Sequence, residues 1–81
     1  MGNDRLGLYR ASVLDNDDPT RTHRLQVLIP TVSDRTPSWA TACVPGTDVH
    51  TPDIGDTVWV MFEGGDIHLP VWVGMLPRPQ T

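Results

Sequence analysis

The sequence predicts an all-β domain that closes into a small barrel of five short strands. Apolar and polar residues alternate in several runs, which is the period of a strand with one buried face. No run keeps the period of about 3.6 residues that marks an amphipathic helix. Turn-forming residues separate the runs, and closure into a barrel removes the exposed edges that an open sheet of this size presents.

The first strand is predicted within "LYRASVLDN", residues 8–16, and the second within "HRLQVLIP", residues 23–30. Between them, "NDDPT" is expected to turn, because Asn and Asp side chains bond the nearby backbone and Pro19 fixes φ. Alternate side chains of a strand point to the same face. The side chains expected to face the core are Tyr9, Ala11 and Val13 in the first strand and Leu25, Val27 and Ile29 in the second.

A short third strand is predicted within "WATACV", residues 39–44, and the pattern leaves its facing open. Cys43 is expected to be buried there, where cysteine behaves as a small apolar residue. The preceding segment "SDRTPS", residues 33–38, is predicted as a loop, in which Pro37 allows one short helical turn at most. A long loop over residues 45–56 follows the strand.

The last two strands are predicted as a hairpin within "GDTVWVMFEGGDIHLPVWVG", residues 55–74. The loop is either Gly64-Gly65 or residues 64–69, and Pro70 favours the longer one because proline cannot donate to a ladder. Both loops give the same facing. The expected core face carries Val58, Val60, Phe62, Val71 and Val73. The opposite face carries Trp59, Met61 and Trp72, joined by His68 if the loop is short.

Trp59, Met61 and Trp72 are therefore the candidate binding residues. A solvent face ordinarily carries Thr, Lys or Glu, whereas Trp and Met are enriched where proteins bind one another. Two interpretations stay open: the chain's own loops cover this face, or another protein does. The second interpretation predicts a protein interface.

Composition and charge disfavour several classes of protein. At 81 residues the chain is one domain at most, and 38% hydrophobic with 20% charged residues is typical of a globular one. Six arginines, no lysine and ten acidic residues give a net charge of −4, which disfavours nucleic-acid binding. The single Cys43 excludes an internal disulfide and a four-cysteine zinc site. Without a secretory signal or a membrane-length apolar run, the expectation is a soluble protein made in a cytoplasm.

No catalytic, metal or cofactor site is predicted. An EF-hand loop starting at Asp15 requires Gly at its sixth position and Glu at its twelfth, where the chain has Thr20 and Gln26. The three histidines lie far apart and lack the close spacing of metal ligands. "EGGD", residues 63–66, is typical of a solvated hairpin turn, and no nucleophile elbow or phosphate-binding loop is present.

Four segments follow one another in the order of a known family. "GLYRASVLDNDDP" is similar to the family's first strand and turn, and "RLQVLIP" to its second strand. "SWATACVPG" looks like its "PWARV" strand, and "PDIGDTVWVMFEGGDIHLPVWVG" resembles "P.VGDEVWV.FEGGD...PVV.G". Over residues 7–76 the chain thus resembles the OB-fold domain of the baseplate central-spike family of contractile phage tails. That family includes baseplate assembly protein V and the N-terminal OB domain of the valine-glycine-repeat spike proteins of type VI secretion. His23 stands where relatives often have Gly.

The resemblance implies a five-stranded OB-fold barrel at residues 7–76, which leaves an N-terminal arm at 1–6 and a C-terminal tail at 77–81. It implies a structural part of a phage tail baseplate that joins the tail hub or tube to the spike through protein–protein contacts. The implied partners are hub and spike proteins in a homotrimer or another three-fold assembly, and the implied location is the virion tail after synthesis in the host cytoplasm. No membrane and no nucleic acid are expected among the partners.

Relatives are usually longer than this chain, and carry hub, lysozyme or β-helix segments. Met1 and the unstructured ends favour a complete small gene product that caps or bridges separate hub and spike proteins, over a piece cut from a longer protein. Two alternatives remain. One is a spike adaptor of a contractile injection or secretion system. The other is an oligonucleotide-binding OB-fold module, which binds through aromatic side chains stacked beside cationic groups.

Overall fold

The computed structural model describes residues 6–32, 37–46 and 50–77, and it confirms the prediction of a small closed barrel. The strands are β1 (Tyr9–Asp15), β2 (Leu25–Leu28), β3 (Ser38–Ala42), β4 (Thr57–Phe62) and β5 (Pro70–Met75). They follow the order β1-β2-β3-β5-β4, and β4 pairs with β1 to close the barrel. All neighbours are antiparallel except β3 and β5. The architecture is that of a small OB fold, with no α-helix in the described ranges.

The core faces predicted for β1, β2 and β4 are confirmed. Alternate side chains along each strand are buried, as the period of two requires. Tyr9 lies at the margin of the core, where its ring meets that of Phe62 edge to face at a centroid distance of 5.2 Å. The buried side chains of the three strands and the segment after β2 are Ala11, Val13, Leu25, Val27, Ile29, Val58, Val60 and Phe62.

The face predicted for β5 is wrong. Trp72 is 2% exposed and belongs to the core, whereas Val71 and Val73, which were expected there, are half-buried. The reason is the length of the hairpin loop. Phe62 pairs with Pro70, so the loop holds residues 63–69, an odd number, whereas both predicted loops hold an even number. A shift of one residue moves every side chain of a strand to the other face.

A 3-10 turn and a β-bulge determine which side chains of β5 face the core. The turn at Glu63–Gly65 opens the loop, with Gly64 in the left-handed region at φ 62°. Further along, the ladder shifts register between Trp59 and Val60, and Val73 is the residue left over. Beyond the shift the original facing returns, so Met75 packs against the core.

The prediction that Cys43 is buried is also wrong, because its side chain is exposed. β3 ends at Ala42, so the chain is already leaving the barrel at Cys43. Its backbone N–H still donates a 3.0 Å hydrogen bond to the carbonyl of Trp72. The cysteine therefore contributes backbone pairing at the barrel rim rather than apolar packing.

Some predictions fall outside the described residues. The short helical turn allowed within residues 33–38 falls largely on 33–36, and the predicted arm and tail fall largely on 1–5 and 78–81. The division of the chain into arm, barrel and tail stays a prediction. In the described part, no helix is long and apolar enough to cross a membrane.

Candidate functional site

Trp59 lies on the outer side of the barrel. Its direct partner in the β1–β4 ladder is Arg10, whose guanidinium carbon lies 5.2 Å from the centre of the indole ring. This arrangement is attractive because the face of an aromatic ring is electron-rich. The indole is half-buried, so the structure covers part of it and leaves the rest at the surface.

An exposed apolar row continues from Trp59 across the neighbouring strands. Met61 is 44% exposed and pairs with Val71 on β5. Leu8 is 55% exposed and directly precedes β1, where the β1–β4 register continues toward Met61. Leu69, which precedes β5, is 48% exposed. We call the surface formed by Leu8, Trp59, Met61, Leu69 and Val71 the apolar face. Large exposed apolar patches commonly mark sites of protein association.

Of the three candidate interface residues, Trp59 and Met61 belong to the apolar face and Trp72 does not. Trp72 lies in the core, and its Nε1–H donates a 2.9 Å hydrogen bond to the carbonyl of His23. The bond satisfies the one polar atom of the buried indole. It also fastens the β1–β2 loop to the barrel. Trp72 is therefore covered by the chain's own core and by the β1–β2 loop, so for this residue the first of the two interpretations is the right one.

The β1–β2 loop, residues 16–24, is organised around the carboxylate of Asp18, whose side chain is only 3% exposed. This carboxylate accepts hydrogen bonds from the backbone N–H and hydroxyl groups of Thr20 and Thr22. It also accepts from the backbone N–H and the guanidinium of Arg24, with an ion-pair distance of 2.9 Å. The Arg24 hydrogen bond, aided by those from the two threonines, holds the pKa of Asp18 far below its usual range although burial acts in the opposite direction.

Two residues of the same loop have a left-handed backbone, Arg21 at φ 58° and His23 at φ 64°. This conformation is strained for a residue that carries a Cβ atom. Asp18 accepts hydrogen bonds from the backbone N–H groups of Thr22 and Arg24, and these bonds hold the chain in place around the two strained residues. The geometry also explains the departure noted in the sequence: the position of His23 suits glycine, which adopts φ > 0 freely.

Sequence reasoning missed two arginine–tryptophan stacks on the barrel surface. Besides Arg10 over Trp59, the Arg24 guanidinium lies 5.1 Å from the centre of the Trp39 ring. The alternation in β1 does place Arg10 on the outer face. The contact itself depends on the pairing of β1 with β4, which follows from barrel closure and not from any local pattern.

No arrangement with catalytic geometry is found in residues 6–32, 37–46 and 50–77. In these ranges no three His, Cys, Asp or Glu side chains are grouped to hold a metal ion. A cavity of about 40 Å³ is lined by Ser38 and His68 among others, but these two described side chains share no hydrogen bond. A shallower cavity of about 200 Å³ lies beside Asp17, Arg21 and His23.

Comparison with known proteins assigns this barrel to a family. The family model of the Type VI secretion system/phage-baseplate injector OB domain matches residues 9–76, from the first residue of β1 to the residue after β5. No curated protein matches the chain. The matched family is a structural baseplate domain and not a known enzyme family, and it is typical of the phage tail. The resemblance read from the four sequence segments is thereby confirmed, and the chain belongs to the Type VI secretion system/phage-baseplate injector OB domain family.

Proposed function

We propose that this chain joins the hub or tube of a contractile tail to its spike through protein–protein contacts. Family membership supports a structural baseplate role, and the exposed apolar face is the observation that carries the finer proposal. In this role the chain works in a homotrimer or another three-fold assembly, beside hub and spike proteins, in the virion tail after synthesis in the host cytoplasm. We assign it no catalytic activity.

The contact surface of this proposal is the apolar face, with Trp59 and Met61 as its anchors. Trp and Met are enriched at protein interfaces, and aromatic anchors often dominate the binding free energy. Arg10 lies over the indole of Trp59, and this contact favours the observed orientation of the ring, which lowers the entropy lost when a partner binds. Trp72, the third candidate, supports this surface from the core and offers almost no area of its own to a partner.

The proposal is tested by two substitutions in β4, one on its outer face and one on its core face. Trp59→Ala should weaken assembly by about 2 kcal/mol or more, because it removes an anchor of the contact. Val60→Ala, the matched core variant, should lower the free energy of unfolding by about 1–3 kcal/mol and leave assembly of the folded fraction intact. Thermal melting and incorporation into baseplates measure the two effects. If Trp59→Ala baseplates assemble normally, the apolar face is not the interface.

Oligonucleotide binding is a second candidate, because each of two surface tryptophans carries an arginine against its ring. Such pairs can stack on single-stranded bases. Against this function, the charge of Arg24 is balanced by Asp18, and the net charge of −4 repels a polyanion. We expect no binding to single-stranded DNA at physiological salt. Sub-micromolar binding that weakens as salt rises would make this candidate the better one.

A further inference from the structure

The barrel carries an arginine stacked on a tryptophan at two places, and at one of them the charge is paired as well. The Arg24 guanidinium lies 5.1 Å from the centre of the Trp39 ring. Its Nε and Nη2 groups donate hydrogen bonds of 3.1 and 2.9 Å to Oδ1 of Asp18, whose side chain is 3% exposed. A planar guanidinium suits both contacts, because its face can stack on a ring while its edge binds a carboxylate.

Arg10 has the tryptophan but lacks the carboxylate. It lies 5.2 Å from the centre of the Trp59 ring, and within the part of the chain that the structure describes the one salt bridge is that of Arg24. The strands around it supply no substitute. β4 and β5 contain no charged residue, and the one aspartate of β1, Asp15, lies at the other end of that strand. Arg10 is exposed, so in the single chain water solvates its charge.

A partner that covers the apolar face changes the surroundings of this charge. The guanidinium lies against the indole of Trp59, so a protein that buries the indole also removes water from Arg10. A charge that is buried without a partner is strongly destabilising, whereas an ion pair with good hydrogen bonds is tolerated. A carboxylate is the protein group that matches the paired N–H groups of arginine.

We propose that the protein that binds the apolar face is a different protein of the tail and places an Asp or Glu carboxylate on Arg10. Apolar side chains of that protein then pack around the ion pair, on Trp59 and Met61. The partner thereby completes at Arg10 the arrangement that Asp18 completes at Arg24. A phosphate has the same sign of charge, but the apolar surroundings and the net charge of −4 disfavour a nucleic acid. This inference rests on the proposed function and names the chemistry of the partner at the same face.

Charge reversal is the first test, with incorporation of the chain into baseplates as the measurement. Arg10→Glu should lower incorporation at least about ten-fold, because two carboxylates then meet across the contact. Arg21→Glu is the matched control: it makes the same change of charge at an exposed position of the β1–β2 loop, outside the apolar face, and should be incorporated like the natural chain. Thermal melting of each variant confirms that it is folded. Equal incorporation of Arg10→Glu and Arg21→Glu contradicts the inference.

A zero-length cross-link identifies the partner group directly. The chain contains no lysine, so Arg10→Lys introduces its one side-chain amine and keeps the positive charge. A carbodiimide joins an amine to a carboxylate only when the two are in contact. In assembled baseplates, Arg10→Lys should therefore be coupled to an Asp or Glu of another protein, which peptide mass spectrometry locates. Arg21→Lys is the control and should give at least about ten-fold less of this product.

The outcomes separate this inference from the proposed function. Coupling of Arg10→Lys to a second copy of this chain overturns the inference, because the carboxylate then comes from the chain itself. Absence of coupling while Trp59→Ala still blocks incorporation also overturns it, and the proposed function stands, since the face then binds a partner without a carboxylate at Arg10. Binding of single-stranded DNA that is lost in Arg10→Gln assigns the charge to a phosphate and overturns it as well. If Trp59→Ala is incorporated normally, the proposed function itself fails.

Discussion

Trp72 connects the barrel core to a loop through a single side chain. Its ring fills the interior beside Val60, its partner on β4, while its Nε1–H reaches the carbonyl of His23. That carbonyl belongs to a residue in the left-handed conformation, so the hydrogen bond also helps to hold a strained part of the backbone. Trp59 lies on the opposite side of the same hairpin and has no comparable packing. The two tryptophans therefore differ in what their loss should do.

Trp72→Ala is expected to lower the free energy of unfolding by about 3–5 kcal/mol, because it leaves a large cavity in the core. Trp72→Phe keeps most of the volume and removes the hydrogen bond to His23, so its loss should be about 1–2 kcal/mol. Trp59→Ala should lose about 1 kcal/mol or less, the value of a surface cation–π contact. Urea unfolding of the three variants measures these differences. Equal losses at the two tryptophans contradict the assignment of their faces.

The lowered pKa of Asp18 predicts how the stability of the folded chain depends on pH. Its pKa in the folded chain is held far below the value of about 3.9 that an unfolded aspartate has. The stabilisation is therefore fully present above the unfolded pKa and is lost as the pH falls below it. The melting temperature of the natural chain should be steady near neutral pH and fall below about pH 4.

Asp18→Asn should melt lower at neutral pH and show a smaller further decline in acid, because it has no carboxylate to protonate. Asp17→Asn removes the same charge at an exposed neighbour and should behave like the natural chain. Thermal melting across a pH series checks both variants. A decline in acid that is as steep for Asp18→Asn as for the natural chain assigns the effect to other carboxylates.

Among the strands, the β4–β5 hairpin shows which buried faces can be predicted from the sequence and which cannot. The faces of β1, β2 and β4 follow from alternation within each strand, and the buried Ala11, Leu25 and Val58 agree with it. The face of β5 depends instead on the number of residues in the loop before it. The turn at Glu63–Gly65 makes that number odd, and no local pattern around Pro70 reveals it.

The candidate site was predictable to the same extent. Trp59 and Met61 lie on β4, whose facing could be read directly, and the structure places both on the outer side. Trp72 was misplaced together with the rest of β5. Leu8 and Arg10 were not recognised as part of the site, because they join it only through the pairing of the first strand with the fourth. Long-range pairing of this kind is a property of the closed barrel.

The turn before β4 gives a prediction about the free energy of unfolding. Gly55 has φ 94°, and a Cβ atom built there would meet no atom within 4 Å, so the cost of Gly55→Ala comes from the backbone alone. We expect a loss of about 1–2 kcal/mol in the free energy of unfolding. Gly46 has equal space and no positive φ, so Gly46→Ala should be neutral or stabilise by up to about 1 kcal/mol. Chemical denaturation compares the pair, and similar values for both contradict a strained turn at Gly55.

In the barrel as a whole, the buried polar groups are hydrogen-bonded, whereas apolar side chains stay exposed on the outer side. Among the described residues no buried side-chain nitrogen or oxygen lacks a hydrogen-bond partner. The exposed apolar side chains lie instead on the outer face of the hairpin and at the two ends of β1. A small barrel of this kind is expected to be stable as a fold and to complete its surface in an assembly.

Oxidation of Met61 measures whether another protein covers the apolar face. The thioether is 44% exposed in the single chain, so hydrogen peroxide should oxidise it readily there. In assembled baseplates or injectors, the rate should fall at least about ten-fold if a protein partner covers the apolar face. Met75, which packs against the barrel's own core, serves as the internal reference and should react equally slowly in both states. Peptide mass spectrometry measures both rates. Protection of Met61 with an unchanged Met75 is the predicted result, and oxidation of Met61 at the same rate in the assembly as in the free chain would mean that no protein covers the apolar face.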